Sequence, residues 1–304
     1  MGRSGQDKLN VSLLDAIARS ISVTRGEVFI PARRHTVSGG CINTSAMLEG
    51  GGQRYFVKLN DAARLDMFVA ESEGLTEIAN SKSVRVPLPI CTGKHAGQSY
   101  LVIEYLNIGH STNTSDELLG HQLAAMHRTT CPRFGWRRAN TIGSTPQINT
   151  TESDWVTFYR EHRLRFQLEL AAQNGHGDSL RRHGELLLER LGGFFISHHP
   201  LPSLLHGDLW GGNHAALDDT TPVIFDPAIY YGDREADLAM TELFGGFGSR
   251  FYAAYHDAWP LDSGYRVRRD LYNLYHVLNH LNLFGGSYRG QCLQLIDRLL
   301  GESG

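Results

Sequence analysis

Residues 204–226 read LLHGDLWGGNHAALDDTTPVIFD, and this stretch decides the fold prediction. His206 and Asp208 are separated by one glycine, Asn213 follows five residues after the aspartate, and Asp226 closes an apolar run. The apolar run is typical of a short buried strand, and the glycines before Asn213 are typical of a tight turn. The stretch therefore presents two carboxylates and one amide at fixed intervals around short strands.

These groups suit phosphoryl transfer from Mg-ATP. One carboxylate accepts the proton of the acceptor hydroxyl, and an amide oxygen with a second carboxylate holds magnesium against the phosphates. The kinase catalytic loop, H-R-D-x-x-x-x-N with a later metal-binding aspartate, has the same spacing, with Gly207 here in the arginine position. We therefore predict Asp208 as the proton acceptor, Asn213 and Asp226 as magnesium ligands, and His206 as structural support.

Composition limits the classes of function. The 304 residues are enough for about two domains, and 41% of them are hydrophobic. The net charge of −3 gives no basic field for nucleic acid or anionic lipid, and no apolar run approaches the roughly 18 residues of a membrane span. No signal peptide is evident, and the four cysteines form no C-x-x-C. We expect a cytoplasmic protein that binds neither nucleic acid nor membrane.

The order of predicted elements is that of a kinase small lobe followed by a helical lobe. Strand patterns, one helical pattern and two further strand patterns come first, at residues 35–48, 54–60, 65–79, 84–91 and 99–105. Helical patterns dominate afterwards, at residues 116–128, 153–172, 180–196, 236–260 and 268–300. We predict an α+β, bilobal protein-kinase-like fold with a small antiparallel β-sheet lobe and a mainly helical large lobe. The predicted lobes are residues 1–105, which bind ATP, and 106–304, which carry catalysis and the acceptor.

The first lobe contains candidate phosphate-binding groups. Gly39 and Gly40 lie between two predicted strands, where glycines let backbone N–H groups approach phosphate oxygens. Lys58 lies on the apolar strand YFVK, and a lysine on such a strand needs an anion. Glu71 is the predicted partner in the following helix, because Phe68 and Leu75 flank it on the same face.

A connector after the last strand of this lobe is the candidate adenine site. Glu104, Tyr105 and Leu106 follow the apolar run LVI, and the Glu104 carbonyl and Leu106 amide would supply the acceptor and the donor that the adenine edge needs. We expect ATP in the cleft between the lobes. Pro227 follows Asp226, so the D-F-G switch of protein kinases is absent, and no A-P-E motif follows. A small-molecule acceptor is therefore expected.

The chain resembles the fructosamine kinase (ketosamine-3-kinase) family, within the aminoglycoside-phosphotransferase-like superfamily. The resemblance covers nearly the whole length and rests on several long motifs: SGGCIN, FVKLN, MFVAESEGL, VIEYL, FGWRRANTIGSTPQINT, DWVTFYREHRL, LLHGDLWGGN, IFDPAIYYGDREADLAMTELFGGF and LYNLYHVLNHLNLFGGSY. It implies ATP- and Mg²⁺-dependent phosphorylation of the 3-hydroxyl of a free or protein-bound ketosamine, such as a glycated lysine. The 3-phosphate then decomposes and frees the amine, which is a deglycation repair activity.

The resemblance also implies roles for single residues. Asp237 resembles the aspartate that braces the catalytic loop, and Trp210 could offer its indole face to the sugar. His276 lies on a helix expected to place one edge on the substrate pocket. Cys41 lies in the phosphate loop, where oxidation to a disulfide could stop ATP binding, so both a monomer and a redox-dependent dimer stay open.

Two alternatives remain at this point. One is a kinase for another small alcohol, such as an aminoglycoside, choline or a thiosugar. The run DREAD, with Asp233, Glu235 and Asp237, is compatible with a polycationic aminoglycoside. The other is an inactive nucleotide-binding module, which predicts damage to the catalytic residues, and the sequence retains all of them.

Overall fold

The computed structural model describes residues 11–37, 43–218 and 220–302. The chain divides into two compact units. One comprises residues up to Asn80 together with Val86–Ile108, and the other comprises Ser81–Arg85 and the residues from Gly109 onwards. Within the described ranges, no helix combines the length and the apolar character that crossing a membrane requires.

The first unit is built on a five-stranded antiparallel sheet with the strand order β1-β2-β3-β5-β4. Its elements are α1 (Val11–Arg25), β1 (Arg33–Val37), β2 (Thr44–Gly50), β3 (Gln53–Asp61), α2 (Leu65–Ser81), β4 (Pro89–His95) and β5 (Gln98–Glu104). The predicted order of strands, one helix and two further strands is confirmed, and the first strand pattern, at residues 35–48, covers parts of both β1 and β2. The fourth strand begins at Pro89 rather than at residue 84, because Pro87 and Pro89 have no N–H to donate to a ladder.

Side-chain alternation decides what each face of this sheet carries. Val57 and Leu59 of β3 are fully or almost fully buried in one core cluster with Ile17 and Ile21 of α1. Since successive side chains on a strand point to opposite faces, Lys58 points away from α1. The lysine is thereby directed to the face on which α2 lies.

The second unit is mainly helical, with short β-hairpins inserted between the helices. Its helices are α3 (Asn113–His127), α4 (Trp155–Tyr159), a π-helical segment (Arg160–Arg165), α5 (Phe166–Gln173), α6 (Asp178–Arg190), α7 (Glu235–Leu243), α8 (Ser249–Ala258), α9 (Tyr265–Phe284) and α10 (Arg289–Glu302). Its strands are β7 (Asn140–Ile142), β8 (Thr145–Gln147), β9 (Ser203–Leu205), β10 (His214–Leu217), β11 (Pro222–Ile224) and β12 (Tyr230–Gly232). A further two-residue strand, β6 (Ile108–Gly109), lies where the chain passes from one unit to the other.

Two long helical patterns are broken by glycine. The pattern at 236–260 forms α7 and α8, which are separated by the run from Phe244 to Gly248. The pattern at 268–300 forms α9 and α10, because Gly285 has a φ of +93° and ends α9. The predicted helical content is correct here, whereas the lengths of the helices are not.

Candidate active site

Two antiparallel strand pairs hold the catalytic stretch. β9 pairs with β12, and β10 pairs with β11 with His214 opposite Ile224. Asn213 immediately precedes β10, and Phe225 N donates to its carbonyl oxygen at 3.0 Å. Asp226 is the next residue, so the hairpin brings Asn213 and Asp226 to the same end.

Asp208 and Asn213 are in direct contact. Asn213 Nδ2 donates to the backbone oxygen of Asp208 at 2.9 Å and lies 3.5 Å from its carboxylate oxygen Oδ2. A backbone carbonyl can only accept, so the amide nitrogen is the end that faces Asp208. The amide oxygen is then the atom of Asn213 that can serve a cation.

The glycine between His206 and Asp208 is required by the geometry. Gly207 has a φ of +81°, and a Cβ on it would lie 2.1 Å from the carbonyl oxygen of Ala228. An arginine, as in protein kinases, would meet that carbonyl at its first side-chain atom. The Gly207 backbone therefore lies directly against the segment that follows Asp226.

Asp237 holds the backbone of the loop that carries Asp208. Its carboxylate accepts from His206 N at 2.7 Å and from Gly207 N at 2.8 Å. It also accepts from the imidazole Nε2 of His127 at 3.1 Å, and His127 is completely buried. Burial alone would raise the pKa of Asp237, but the hydrogen bond and charge of His127 and the other donors outweigh burial, so the pKa is lowered.

His206 is a neutral structural histidine. Burial lowers its pKa more than the charge of Asp237 raises it. Its Nε2 donates to the carbonyl oxygen of Phe225 at 3.0 Å, and its Nδ1 accepts from Asp208 N at 3.3 Å. Because the carbonyl is an obligate acceptor, the proton resides on Nε2. His206 thus connects the backbone beside Asp226 to the backbone of Asp208.

The environment of Asp208 favours its neutral form. Burial, followed by the charges of Asp226 and Asp237, raises the pKa of Asp208 to about 7, and the hydrogen bond from Asn213 opposes this only in part. A carboxyl group with a pKa near neutrality can take up and release a proton at physiological pH.

The oxygen donors near Asp208 fit magnesium. Mg²⁺ is bound by hard oxygen ligands, typically one or two carboxylates together with substrate phosphates. Asp226 is exposed, and Asn213 offers an amide oxygen. Asp226 also has a φ of +58°, a conformation that non-glycine residues adopt rarely and that is found disproportionately at functional sites.

In the first unit, Lys58 and Glu71 form a buried ion pair. Lys58 Nζ lies 2.5 Å from Glu71 Oε1, and the two side chains are only 6% and 11% exposed. The lysine comes from β3 and the glutamate from α2, the two elements from which the sequence predicted them. The pair fixes the ammonium group at one position on the sheet face.

The connector after β5 is anchored at its first residue. Glu104 N donates to the Leu88 carbonyl at 2.8 Å, and Leu88 N donates back to the Glu104 carboxylate at 3.2 Å. The guanidinium of Arg54 lies 4.7 Å from the ring centroid of Tyr105, and Leu106 follows. Gly39, Gly40 and Cys41 lie outside the described residues.

The two predicted substrate residues differ in environment. Trp210 is 41% exposed, so its indole is not a core side chain. His276 is 5% exposed on α9, and burial followed by the charge of His280 lowers its pKa to about 3. At neutral pH its imidazole is therefore uncharged.

The DREAD carboxylates are bound internally. Asp233 is bonded to Tyr272 Oη at 2.6 Å and to His198 Nε2 at 2.7 Å. Glu235 accepts from Nε and Nη2 of Arg268, and Asp237 accepts from the backbone N–H groups of His206 and Gly207. All three residues are at most 1% exposed, so their carboxylates present no acidic surface to a polycation.

His127 is a residue that the sequence reasoning missed. Its Nδ1 lies 2.8 Å from Tyr255 Oη, so the imidazole links α8 to Asp237. A lone histidine at the end of an amphipathic helix gives no signal of such a contact. Only the packing of α3 against α8 places it there.

The chain is similar to known proteins over nearly its whole length. A family model described as fructosamine kinase matches residues 13–302. A probable ketoamine kinase of Synechocystis is 48% identical over 290 residues, which are 93% of this chain and 96% of the relative. The chloroplastic protein-ribulosamine 3-kinase of Arabidopsis thaliana is 43% identical over 91% of this chain and 86% of its own.

The structural likeness is equally extensive. A crystal structure from Haemophilus somnus, assigned by its name to the fructosamine-3-kinases, matches with a TM-score of 0.86 at 29% identity. The match covers 93% of this chain and 96% of the other. The predicted α+β, kinase-like fold is thereby confirmed.

Proposed function

The chain belongs to the fructosamine kinase family and is an ATP-dependent phosphotransferase, and from this premise we propose that it phosphorylates the 3-hydroxyl of ketosamines. Its relatives carry the names ketoamine kinase and protein-ribulosamine 3-kinase. The observation that carries the assignment is the contact of Asp208 with Asn213 at the hairpin end that also bears Asp226. The product would be a ketosamine 3-phosphate, whose decomposition frees the amine.

In the proposed mechanism, Asp208 receives the proton of the acceptor hydroxyl. The hydroxyl oxygen forms a bond to the γ-phosphorus of ATP, the bond from that phosphorus to the bridging oxygen breaks, and ADP leaves with the electron pair. Asp237 and His206 hold the backbone of the loop, so the carboxyl group of Asp208 does not need to be reoriented during the reaction.

The nucleotide and metal roles follow from the donors present. Lys58, held by Glu71, would contact the phosphates, and the connector Glu104–Leu106 would take the adenine edge. Asn213 and Asp226 would hold Mg²⁺, which when bound would offset the negative charge of the phosphates. Trp210 and His276 are proposed to contact the sugar, with residues 1–105 and 106–304 as the ATP-binding and catalytic lobes. The cytoplasmic location stays a prediction.

The aminoglycoside alternative loses its supporting observation. An aminoglycoside site needs exposed carboxylates, and the carboxylates of Asp233, Glu235 and Asp237 are buried and engaged with internal partners. An inactive module would be expected to have lost one or more of the catalytic residues. The sequence retains all four that this function needs: Lys58, Asp208, Asn213 and Asp226.

The test is a screen of acceptors with Mg-ATP. Ribulosamine, fructosamine and psicosamine derivatives of lysine would be compared with an aminoglycoside, and NMR would locate the new phosphate. We expect ADP release and phosphate on the sugar 3-hydroxyl, with no turnover of the aminoglycoside and turnover about 10²–10⁴-fold lower in Asp208→Asn. Phosphate on another hydroxyl, or on none of the ketosamines, would reject the proposal.

A further inference from the structure

The segment that follows Asp226 is held by two side-chain amides from a separate hairpin. Gln147 Nε2 donates to the carbonyl oxygen of Ala228 at 2.9 Å, and Asn140 Nδ2 donates to that of Ile229 at 2.8 Å. These two residues are opposite each other in the β7–β8 hairpin. Two consecutive carbonyls, two and three residues after Asp226, are thus each fixed by an amide donor.

The orientation of the Gln147 amide is determined by its partners. Its Nε2 also donates to Asn140 Oδ1 at 2.8 Å, and its Oε1 accepts from Tyr275 Oη at 2.8 Å. Since the Ala228 carbonyl only accepts, the nitrogen must face it. Gln147 is 1% exposed, and both of its N–H donors and one acceptor position of Oε1 are hydrogen-bonded within the protein interior.

A buried arginine supports the hairpin from the other side. Arg163, in the π-helical segment, is completely buried and donates to Asn149 Oδ1 at 2.7 Å and to the Ile148 carbonyl at 2.6 Å. Asn149 in turn donates to Asn140 Oδ1 at 2.9 Å. Burying a guanidinium is unfavourable unless its N–H groups are hydrogen-bonded. Moving Ile148 and Asn149 would break the hydrogen bonds of Arg163, so the arginine favours one position of the hairpin.

The segment of residues 228–229 contacts the loop of His206 and Gly207 directly. Ala228 N donates to the His206 carbonyl at 2.8 Å, and the Ala228 carbonyl is the group against which Gly207 packs. The same segment begins at Asp226, whose φ is positive. Gln147 and Asn140 therefore hydrogen-bond to a backbone segment that begins at Asp226 and that is itself bonded to the loop of Asp208.

We infer that Gln147 and Asn140 are positioning residues for Asp226: their amides hold residues 228–229 so that the Asp226 carboxylate is presented with Asn213 to a divalent cation. This inference rests on the proposed function, because it takes Asp226 as a metal ligand. Groups that orient a metal ligand from outside the coordination sphere typically change metal affinity by about 10–100-fold when they are removed. A residue that only stabilised the fold would leave that affinity unchanged in the folded variant.

The experiment measures Mn²⁺ affinity in the presence of ADP by isothermal titration calorimetry, using the full chain. We expect Gln147→Leu to weaken Mn²⁺ binding by about 10–100-fold and to lower kcat more than it raises KM for the ketosamine. The matched control is Gln167→Leu. Gln167 is also buried and also contacts Tyr275, but its other partners are Asn279 and Asn282 rather than the carbonyls of Ala228 and Ile229. The control should keep Mn²⁺ affinity within about twofold, although both variants should lose thermal stability.

Two further variants separate the possible outcomes. Asp226→Asn should weaken Mn²⁺ binding at least as much as Gln147→Leu. Normal Mn²⁺ affinity in Gln147→Leu together with weak binding in Asp226→Asn would overturn the inference alone. Normal affinity in Asp226→Asn would overturn the proposed metal site and the inference with it. If Gln147→Leu does not fold, Asn140→Ala decides, with at least about threefold weaker binding expected and unchanged binding refuting the inference.

Discussion

Replacing Asp208 by asparagine should abolish most of the activity and at the same time stabilise the metal-free protein. Asparagine has nearly the same shape but cannot accept the proton of the acceptor hydroxyl, so turnover should fall by about 10²–10⁴-fold. Asparagine also carries no charge. The unfavourable free energy of holding a carboxylate close to Asp226 and Asp237, in a site largely shielded from solvent, is then removed.

The size of the stabilisation follows from the pKa of Asp208, which burial and neighbouring charges raise from 3.8 to about 7. A shift of about three pKa units corresponds to at most about 4 kcal/mol of unfolding free energy. The actual value is smaller, because Asp208 is partly exposed and solvent screens its charge. The sign is fixed by linkage. Below the unfolded pKa both states are protonated and the penalty is absent, whereas above the folded pKa the penalty is complete. The advantage of Asp208→Asn should therefore grow by about 2–3 kcal/mol between pH 5 and pH 8.

The assay is urea unfolding of wild type and variant in EDTA, without nucleotide, at several pH values. Asp257→Asn removes an exposed carboxylate of α8 and serves as the control for the loss of one negative charge. A constant offset from altered hydrogen bonds cancels in the comparison between pH values. A pH-independent difference for Asp208→Asn would refute the described environment of Asp208, and near-normal turnover would refute its role as proton acceptor.

Three other perturbations give further tests. Gly207→Ala should destabilise the protein by at least about 2 kcal/mol and reduce activity, since its Cβ would meet the Ala228 carbonyl at 2.1 Å; Gly192→Ala, with open space around it, should be close to neutral by thermal unfolding. Lys58→Met should lower kcat/KM for ATP by about 10²-fold and cost about 3–5 kcal/mol in urea unfolding, because Glu71 is left buried without its cation; equal ATP kinetics in the variant would contradict this. Burial lowers the pKa of His198, but the hydrogen bond and charge of Asp233 outweigh it and raise the pKa overall. The stabilisation by His198 should therefore be complete below about pH 6.5 and be lost as the pH rises through the raised value, so the deficit of His198→Gln in urea unfolding should shrink from pH 6 to pH 9; a deficit independent of pH would refute it.

The sequence could predict that Asn213 and Asp226 lie close together, and that Lys58 pairs with Glu71, because these groups are fixed by local geometry. Asn213 and Asp226 flank one hairpin, so their proximity follows from a short chain segment. Lys58 and Glu71 could be paired from strand alternation and helical spacing. The helix boundaries at Gly245–Gly248 and Gly285 were not predicted, because the apolar periodicity continues across both breaks.

Contacts to backbone carbonyls were beyond the reach of the sequence. Gln147 and Asn140 bind the carbonyls of Ala228 and Ile229, some 80 residues away, and a carbonyl is the same group in every residue. His127 reaches Asp237 only because α3 packs against α8. Similarly, the sequence left open that the DREAD carboxylates form an acidic surface. The structure shows that Glu235 and Asp233 are instead bonded to Arg268 and Tyr272 inside the protein.

The sequence by itself determined which groups are present and their order along the chain: the proposed proton acceptor, the oxygen donors proposed for a cation, and the lysine with its glutamate. It could do so because these roles depend on residue type and on spacings within one hairpin or one strand and helix. The tertiary structure decided how firmly those groups are held. Burial and neighbouring charges set the pKa of Asp208. Side chains distant in sequence fix the backbone at His206, before Asp208, and at Ala228, after Asp226, because electrostatics and hydrogen bonding depend on distance in space.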